Sequence, residues 1–344
     1  MHNVRDDRAI TRPSDFHDLL RATVQLGENR LLVQGPGGNT SIKDAGVLWV
    51  KASGIWMAQA DERNGFVPVD LSLIRDQIRN GHSEPGTGAI RTDLVAGALG
   101  RPSIETSFHA LLPHRVVLHT HSVSVLAGAI RADAEQLFNE KLRGLNWALI
   151  PYARPGLPLT HLIADRMIDG APNVLVLRNH GLVVGGGSVD EALGTMAEVE
   201  RRLEQETLEH ALPDLDELAH LAHHTDWVLP ADASVHRLGV EPQAFAVATR
   251  YSLYPDHVVF LGSRIAGCRE GEALPPDAPL VAVEGKGVLV RQSMSAASLA
   301  MIGCLSDVLA RLTMGATVEG LSTAQENELL NWDAEKLRQS LNRP

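Results

Sequence analysis

His119 and His121 stand two residues apart within Arg115-Val116-Val117-Leu118-His119-Thr120-His121, an apolar run that reads as a buried strand. On a strand, residues i and i+2 leave the same face with about 6.6 Å of rise between them, so both imidazoles can converge on one ion. A third histidine, His180, sits in the turn Asn179-His180-Gly181. Three neutral imidazoles leave one position of a tetrahedral zinc open, which is what a catalytic site requires and a closed structural site lacks. Glu105 precedes the strand in Ser103-Ile104-Glu105-Thr106-Ser107-Phe108-His109, where a carboxylate beside a metal can exchange between ligand and general base. A lone His-X-His also describes two histidines satisfied by hydrogen bonds, and a lone Glu a solvated helix start. The surrounding segments decide between these readings.

The elements that must position these groups alternate along the chain. Residues 15–26 carry Phe16, Leu19, Leu20 and Val24 at helical spacing behind Ser14 as N-cap. The turn Gly35-Pro36-Gly37-Gly38-Asn39-Thr40-Ser41 stops that helix and leads to the strand Val47-Leu48-Trp49-Val50. A helix with Leu73 and Ile78, a Gly/Pro/Ser loop over 81–88 and a helix over 92–99 come next, followed by the histidine strand and a helix over 123–130. Residues 173–185 read as two short strands joined near the third histidine, and 189–210 as a long amphipathic helix. Further on, 258–261 and 281–283 read as strands, 295–312 as a helix, and 332–338 as an amphipathic helix suited to an interface.

The whole chain, 344 residues with 44% hydrophobic and 21% charged side chains, has enough apolar content for a sizeable core and is long enough for two units. A net charge of −11 without a Lys/Arg cluster excludes a nucleic-acid surface. Two cysteines, Cys268 and Cys304, do not make a disulfide scaffold, and no stretch reads as a signal peptide or membrane span; the expectation is a cytoplasmic protein. Other site classes fail on residues. Gly35 to Ser41 lacks the P-loop lysine, Asp190 stands where Gly185-Gly186-Gly187 would need the last dinucleotide-fingerprint glycine, and no Gly-X-Ser-X-Gly elbow occurs.

The motifs Gly38-Asn39-Thr40-Ser41, Ala52-Ser53-Gly54, Ser103 to Glu105 with His109, His119-Thr120-His121 and Asn179-His180-Gly181 occur in the order found in the class II aldolase/adducin family, which this chain resembles over residues 15–210. The resemblance implies an α/β fold, a three-layer α/β/α domain over 1–225 with a central, largely antiparallel sheet. A smaller C-terminal α/β extension of unassigned role would occupy 226–344. It implies His119, His121 and His180 as ligands of Zn2+, with Mn2+ or Co2+ as substitutes, and Glu105 as catalytic carboxylate. Gly38, Asn39, Ser53, Gly54 and Ser103 match phosphate-binding loops; exposed backbone N–H groups with Asn and Ser donors suit an anion cradle. His109 would support Glu105 and Lys51, with Lys43, could add charge to the cradle. Ile104 stands where sugar-phosphate aldolases commonly have a second serine, and residues 137–143 lack the tyrosine that fuculose-phosphate aldolases use as proton donor.

The implied activity is that of a lyase: a metal-stabilised enediolate connects a ketose or ketose phosphate to its aldol fragments. A sugar-phosphate 4-epimerase or a 3-oxo acid decarboxylase would use the same site, and an adducin-like interaction module would share the fold without the chemistry. The implied partners are a sugar or sugar-phosphate substrate and copies of the chain in a tetramer, with no nucleic acid and no membrane.

Overall fold

A computed structural model describes residues 12–86, 88–95, 100–167, 170–207 and 211–342. Eleven strands are assigned among them: β1 Asn39–Asp44, β2 Val47–Lys51, β3 Phe66–Asp70, β4 Val116–Thr120, β5 Trp147–Ile150, β6 Val174–Leu177, β7 Gly181–Gly186, β8 Trp227–Val228, β9 Ala266–Cys268, β10 Leu280–Val283 and β11 Gly287–Arg291. The first seven form one sheet in the order β3-β2-β1-β4-β7-β6-β5, antiparallel at every pairing except β5 with β6. The other four form a second sheet, β8-β11-β10-β9.

Alternation along β4 separates the two faces of the large sheet. Val116 and Leu118 face a cluster with Phe16, Leu19 and Leu26 of the helix Phe16–Glu28 and with Met196 and Val199 of the helix Val189–Leu203. Val117 faces the opposite way, toward Phe108 of the helix Thr106–Leu111 and Leu159 and Ile163 of the helix Leu157–Arg166. Helices thus cover both faces, and the three-layer α/β/α fold is present. A separate cluster joins Val123 and Leu126 of the helix Val123–Ala129 to Leu305 and Val308 of the helix Ala296–Ala310 and to Val288 and Val290 of β11. The second sheet is therefore seated on the first unit through a shared core. No helix among the described residues is long and apolar enough to cross a membrane.

Several local expectations fail for identifiable reasons. Residues 258–261 lie in a helix, Pro255–Leu261, not a strand: a four-residue apolar run carries no period of its own, and Pro255 at the first turn favours a helical start. Residues 92–95 form turns and a bend rather than a helix, with 96–99 outside the described residues. The first helix takes Asp15, not Ser14, as N-cap, and the Asp15 carboxylate is paired with Arg115 instead of capping. The helix from Val189 ends at Leu203, and 208–210 lie outside the described residues. The Gly-rich turn closes by Gly38 because Asn39 already belongs to β1, whose polar side chains concealed the strand.

Candidate metal centre

Strand register brings the site together. Asn39 of β1 pairs across from His119 of β4, and Val183 of β7 flanks it on the other side. His119 and His121, on the face of Val117, point toward the start of the helix Thr106–Leu111, where Glu105 is N-cap. His180 lies in the tight β6–β7 turn, where Asn179 adopts φ 53°. Gly181 follows with φ 155°, and a Cβ there would come within 2.3 Å of the Thr120 carbonyl oxygen, so only glycine lets this turn approach β4.

The three histidines are buried and offer nitrogen atoms that all lie within 4.8 Å of one another. His119 Nδ1 donates to the Leu182 carbonyl at 2.9 Å, which leaves its Nε2 buried and unpartnered. Glu105 Oε2 lies 3.3 Å from His119 Nε2, and Oε1 lies 3.4 Å from His180 Nε2. Donors bonded to one tetrahedral zinc at about 2.0–2.1 Å lie about 3.3–3.4 Å apart, so these spacings suit ligands of a shared ion. Unpartnered buried atoms at His119 Nε2 and Glu105 Oε1 mark a polar centre that protein groups alone do not satisfy. The residues present fit a divalent metal.

The electrostatics agree. Burial lowers the His119 pKa and brings that of His180 down to about 3, which keeps both imidazoles neutral and able to ligate. Burial alone would raise the Glu105 carboxyl; the Asn39 amide and positive charge on the His119 and His180 side, which a bound cation would supply while those rings stay neutral, hold it below its ordinary value. Asn39 Nδ2 donates to Glu105 Oε2 at 2.8 Å; its Oδ1 accepts from His109 Nε2, and His109 Nδ1 accepts from Ser41 Oγ at 2.7 Å. Burial holds His109 well below its ordinary pKa, so it stays the neutral link in this chain. His109 therefore acts on the Glu105 side chain through Asn39, and the Asn39 amide is engaged with that carboxylate.

The remaining sequence-predicted residues converge on the same cavity, which is lined by Gly38, Lys51, Ser53, Gly54, Ser103 and Ile104 among others. Backbone hydrogen bonds from Ser53 to Arg101 and from Ser103 to Lys51 tie the two serine segments side by side. Ser103 Oγ accepts from the Glu105 amide. Lys51 is buried, and burial with Arg338 nearby outweighs Glu105 and Asp256 to bring its pKa to about 7. Lys43 is also buried but donates to the His114 carbonyl, away from the metal cavity. Tyr152 does not line this cavity; it packs with Val258, Leu321 and Leu329.

Three residues come from a part of the chain to which no chemistry was assigned. Asp256, at the start of the helix Pro255–Leu261, places Oδ2 3.0 Å from His121 Nδ1. Arg338, on the helix Asp333–Ser340, pairs with Asp256 and donates from Nε to Glu335 at 2.7 Å. All three are buried and line the cavity. The C-terminal helix therefore lies over the site. In the sequence, Pro-Asp at a helix start is ordinary, and Glu335 with Arg338 reads as a surface pair at i,i+3 spacing, so nothing signalled this role. With the cover in place, the cavity measures about 20 Å³, room for about one water.

A mainly antiparallel sheet covered on both faces, with three histidines and a glutamate gathered at one end of its central strands, defines an α/β protein built around a candidate metal site. Residues 17–207, more than half of the 344, match the model of the class II aldolase and adducin N-terminal domain, and the chain belongs to that family. A curated relative, the uncharacterized oxidoreductase YuxG of Bacillus subtilis (strain 168), is 31% identical over 192 residues, covering 52% of this chain and 28% of that protein. The chain thus spans under a third of that relative's length. Among solved structures, the N-terminal class II aldolase domain of a conserved Thermoplasma acidophilum protein is 28% identical, with 58% of this chain and 98% of that one covered and a TM-score of 0.48. An L-fuculose 1-phosphate aldolase is 20% identical, with 56% and 85% covered and a TM-score of 0.41.

Proposed function

We propose that this protein is a metal-dependent class II aldolase that cleaves or forms a carbon–carbon bond in a ketose, most simply a ketose phosphate. The observation that carries the reading is the convergence of His119, His121 and His180, whose nitrogens lie within 4.8 Å of one another, with the Glu105 carboxylate 3.3 and 3.4 Å from two of them. A zinc ion held by His119, His121 and His180 would supply Lewis acidity at the carbonyl and adjacent hydroxyl oxygens, worth several kcal/mol as negative charge develops there. Glu105, ionised and oriented by Asn39 and His109, carries the proton to or from the carbon beside the carbonyl. The cradle of Gly38, Ser53, Gly54 and Ser103, with Lys51 at its base, binds the anionic end of the substrate. A sugar exceeds the present cavity, so its entry requires the C-terminal cover to shift.

The protein acts in the cytoplasm as a homotetramer, with residues 226–344 as an extension that closes over a catalytic domain of 1–225. The test is metal analysis of protein produced with ample zinc, followed by screening for aldehyde and carbon dioxide release across ketose phosphates and 3-oxo acids. Stoichiometric metal with aldehyde release supports the aldolase. Carbon dioxide release would reassign the reaction to decarboxylation, ketose-phosphate isomer exchange to epimerisation, and absence of metal to an adducin-like module.

A further inference from the structure

His119 and His121 are both candidate ligands, yet their rear nitrogens are held differently. His119 Nδ1 rests on a backbone carbonyl of the neighbouring strand, at Leu182. His121 lies just past the end of β4, where strand pairing no longer restrains it, and its Nδ1 lies 3.0 Å from Asp256 Oδ2, an ion-pair distance at which that buried oxygen has no other partner. Gly37 closes over the two, and a Cβ there would fall 2.7 Å from that nitrogen and 3.0 Å from Asp256 Oδ2. Asp256 has its other oxygen on Arg338, which Glu335 braces at 2.7 Å. Every member of this chain is buried, so neither carboxylate has water to take the place of a lost partner.

We propose that Asp256, fixed by Arg338, is a positioning residue for the metal ligand His121, so that the C-terminal helix sets how tightly the protein holds its metal. The proposal rests on the three-histidine reading above. A carboxylate on the rear nitrogen of a ligating imidazole fixes the ring's tautomer and direction and raises its basicity, and losing it costs about 10–100-fold in metal affinity. Because Arg338 belongs to the cover, seating of that helix and strength of the metal site are linked. Asp256 lies 82 residues from Arg338 and beyond the matched stretch of 17–207, so this support comes from outside the family domain.

The experiment is zinc competition against a chromophoric chelator, with the visible spectrum of the cobalt-substituted protein as a second readout. It uses the full chain as wild type and as Asp256→Asn, Arg338→Gln, Arg338→Lys and Asp214→Asn. The first two are expected to weaken zinc about 10–100-fold and to shift the cobalt bands. Arg338→Lys, which keeps the charge but cannot span both carboxylates, is expected to fall between Arg338→Gln and wild type. Asp214→Asn, which breaks an exposed pair with Lys286, should leave both readouts unchanged. Affinity within twofold of wild type and unaltered bands in Asp256→Asn and Arg338→Gln would overturn the proposal while leaving the metal site intact. A wild type that takes up no zinc would overturn the three-histidine reading itself. Should Asp256→Asn fail to fold, Arg338→Gln decides the matter alone.

Discussion

The floor of the cavity and its cover are built on different principles. On the floor, Asn39, His119 and Val183 face one another by strand register, and His180 is aimed by a turn of a few residues. Backbone hydrogen bonds of the sheet fix His119, while the His180 turn is also tied to the C-terminal part through the Asn179 amide, which donates to the Leu253 and Glu319 carbonyls. In the cover, Asp256 and Arg338 come from two short helices, Pro255–Leu261 and Asp333–Ser340, that meet only through tertiary packing and a buried ion pair. His119, held within the sheet, should keep its position when the cover changes, whereas His121, which faces Asp256, and the cover itself should depend on the cover's charges. Each variant below measures one side of that contrast.

The largest effect is expected on the floor. His180→Ala removes one of three ligands, so bound zinc measured by elemental analysis should fall from stoichiometric to a trace, and turnover by about 10³-fold or more. Glu105→Gln should cut turnover by about 10²–10⁴-fold with metal content retained; loss of metal in step with activity would make Glu105 a ligand foremost. Gly181→Ala strains the turn against the Thr120 carbonyl and should cost about 1–3 kcal/mol in denaturant unfolding, with a weaker zinc site.

The buried lysines give a pH signature. The folded Lys51 pKa, about 7, lies below its ordinary 10.5, so between those values the unfolded chain binds the extra proton. Folding is therefore penalised below pH 7, and unfolding free energy rises with pH from about 7 to 10.5. Lys43, also lowered to about 7 by burial and Arg75, adds the same slope. Lys51→Met in metal-free protein should reduce the rise without abolishing it, as read from denaturant midpoints at pH 7.5 and 9.5. The smallest effect belongs to the cover's scaffold. Ser322→Ala breaks the capping box of the helix Thr323–Leu330 and should cost about 1 kcal/mol while leaving zinc affinity as it was.

The same contrast explains what could be read from the sequence. His119, His121 and His180 announce themselves because period-2 geometry and a Gly-flanked turn translate spacing directly into direction. Glu105 and the loops at Gly38, Ser53 and Ser103 were legible as short segments in a characteristic order. β1 and β3 were not, since Asn39-Thr40-Ser41 is polar and Pro68 interrupts β3, and burial on both faces came from the assembled layers. Asp256 was hidden by a short apolar run with no period, and Arg338 by a spacing that normally marks a solvated helix face. Contacts across 82 residues leave no local trace in one chain.

The account depends most on three imidazoles sharing one ion. An X-ray absorption spectrum at the zinc edge of the stoichiometrically loaded protein measures this directly. It should give four light donors at about 2.0–2.1 Å with outer-shell scattering from three imidazoles, and from two in His180→Ala under forced loading. A wild-type spectrum with one imidazole or none, or no uptake of zinc at all, would contradict it.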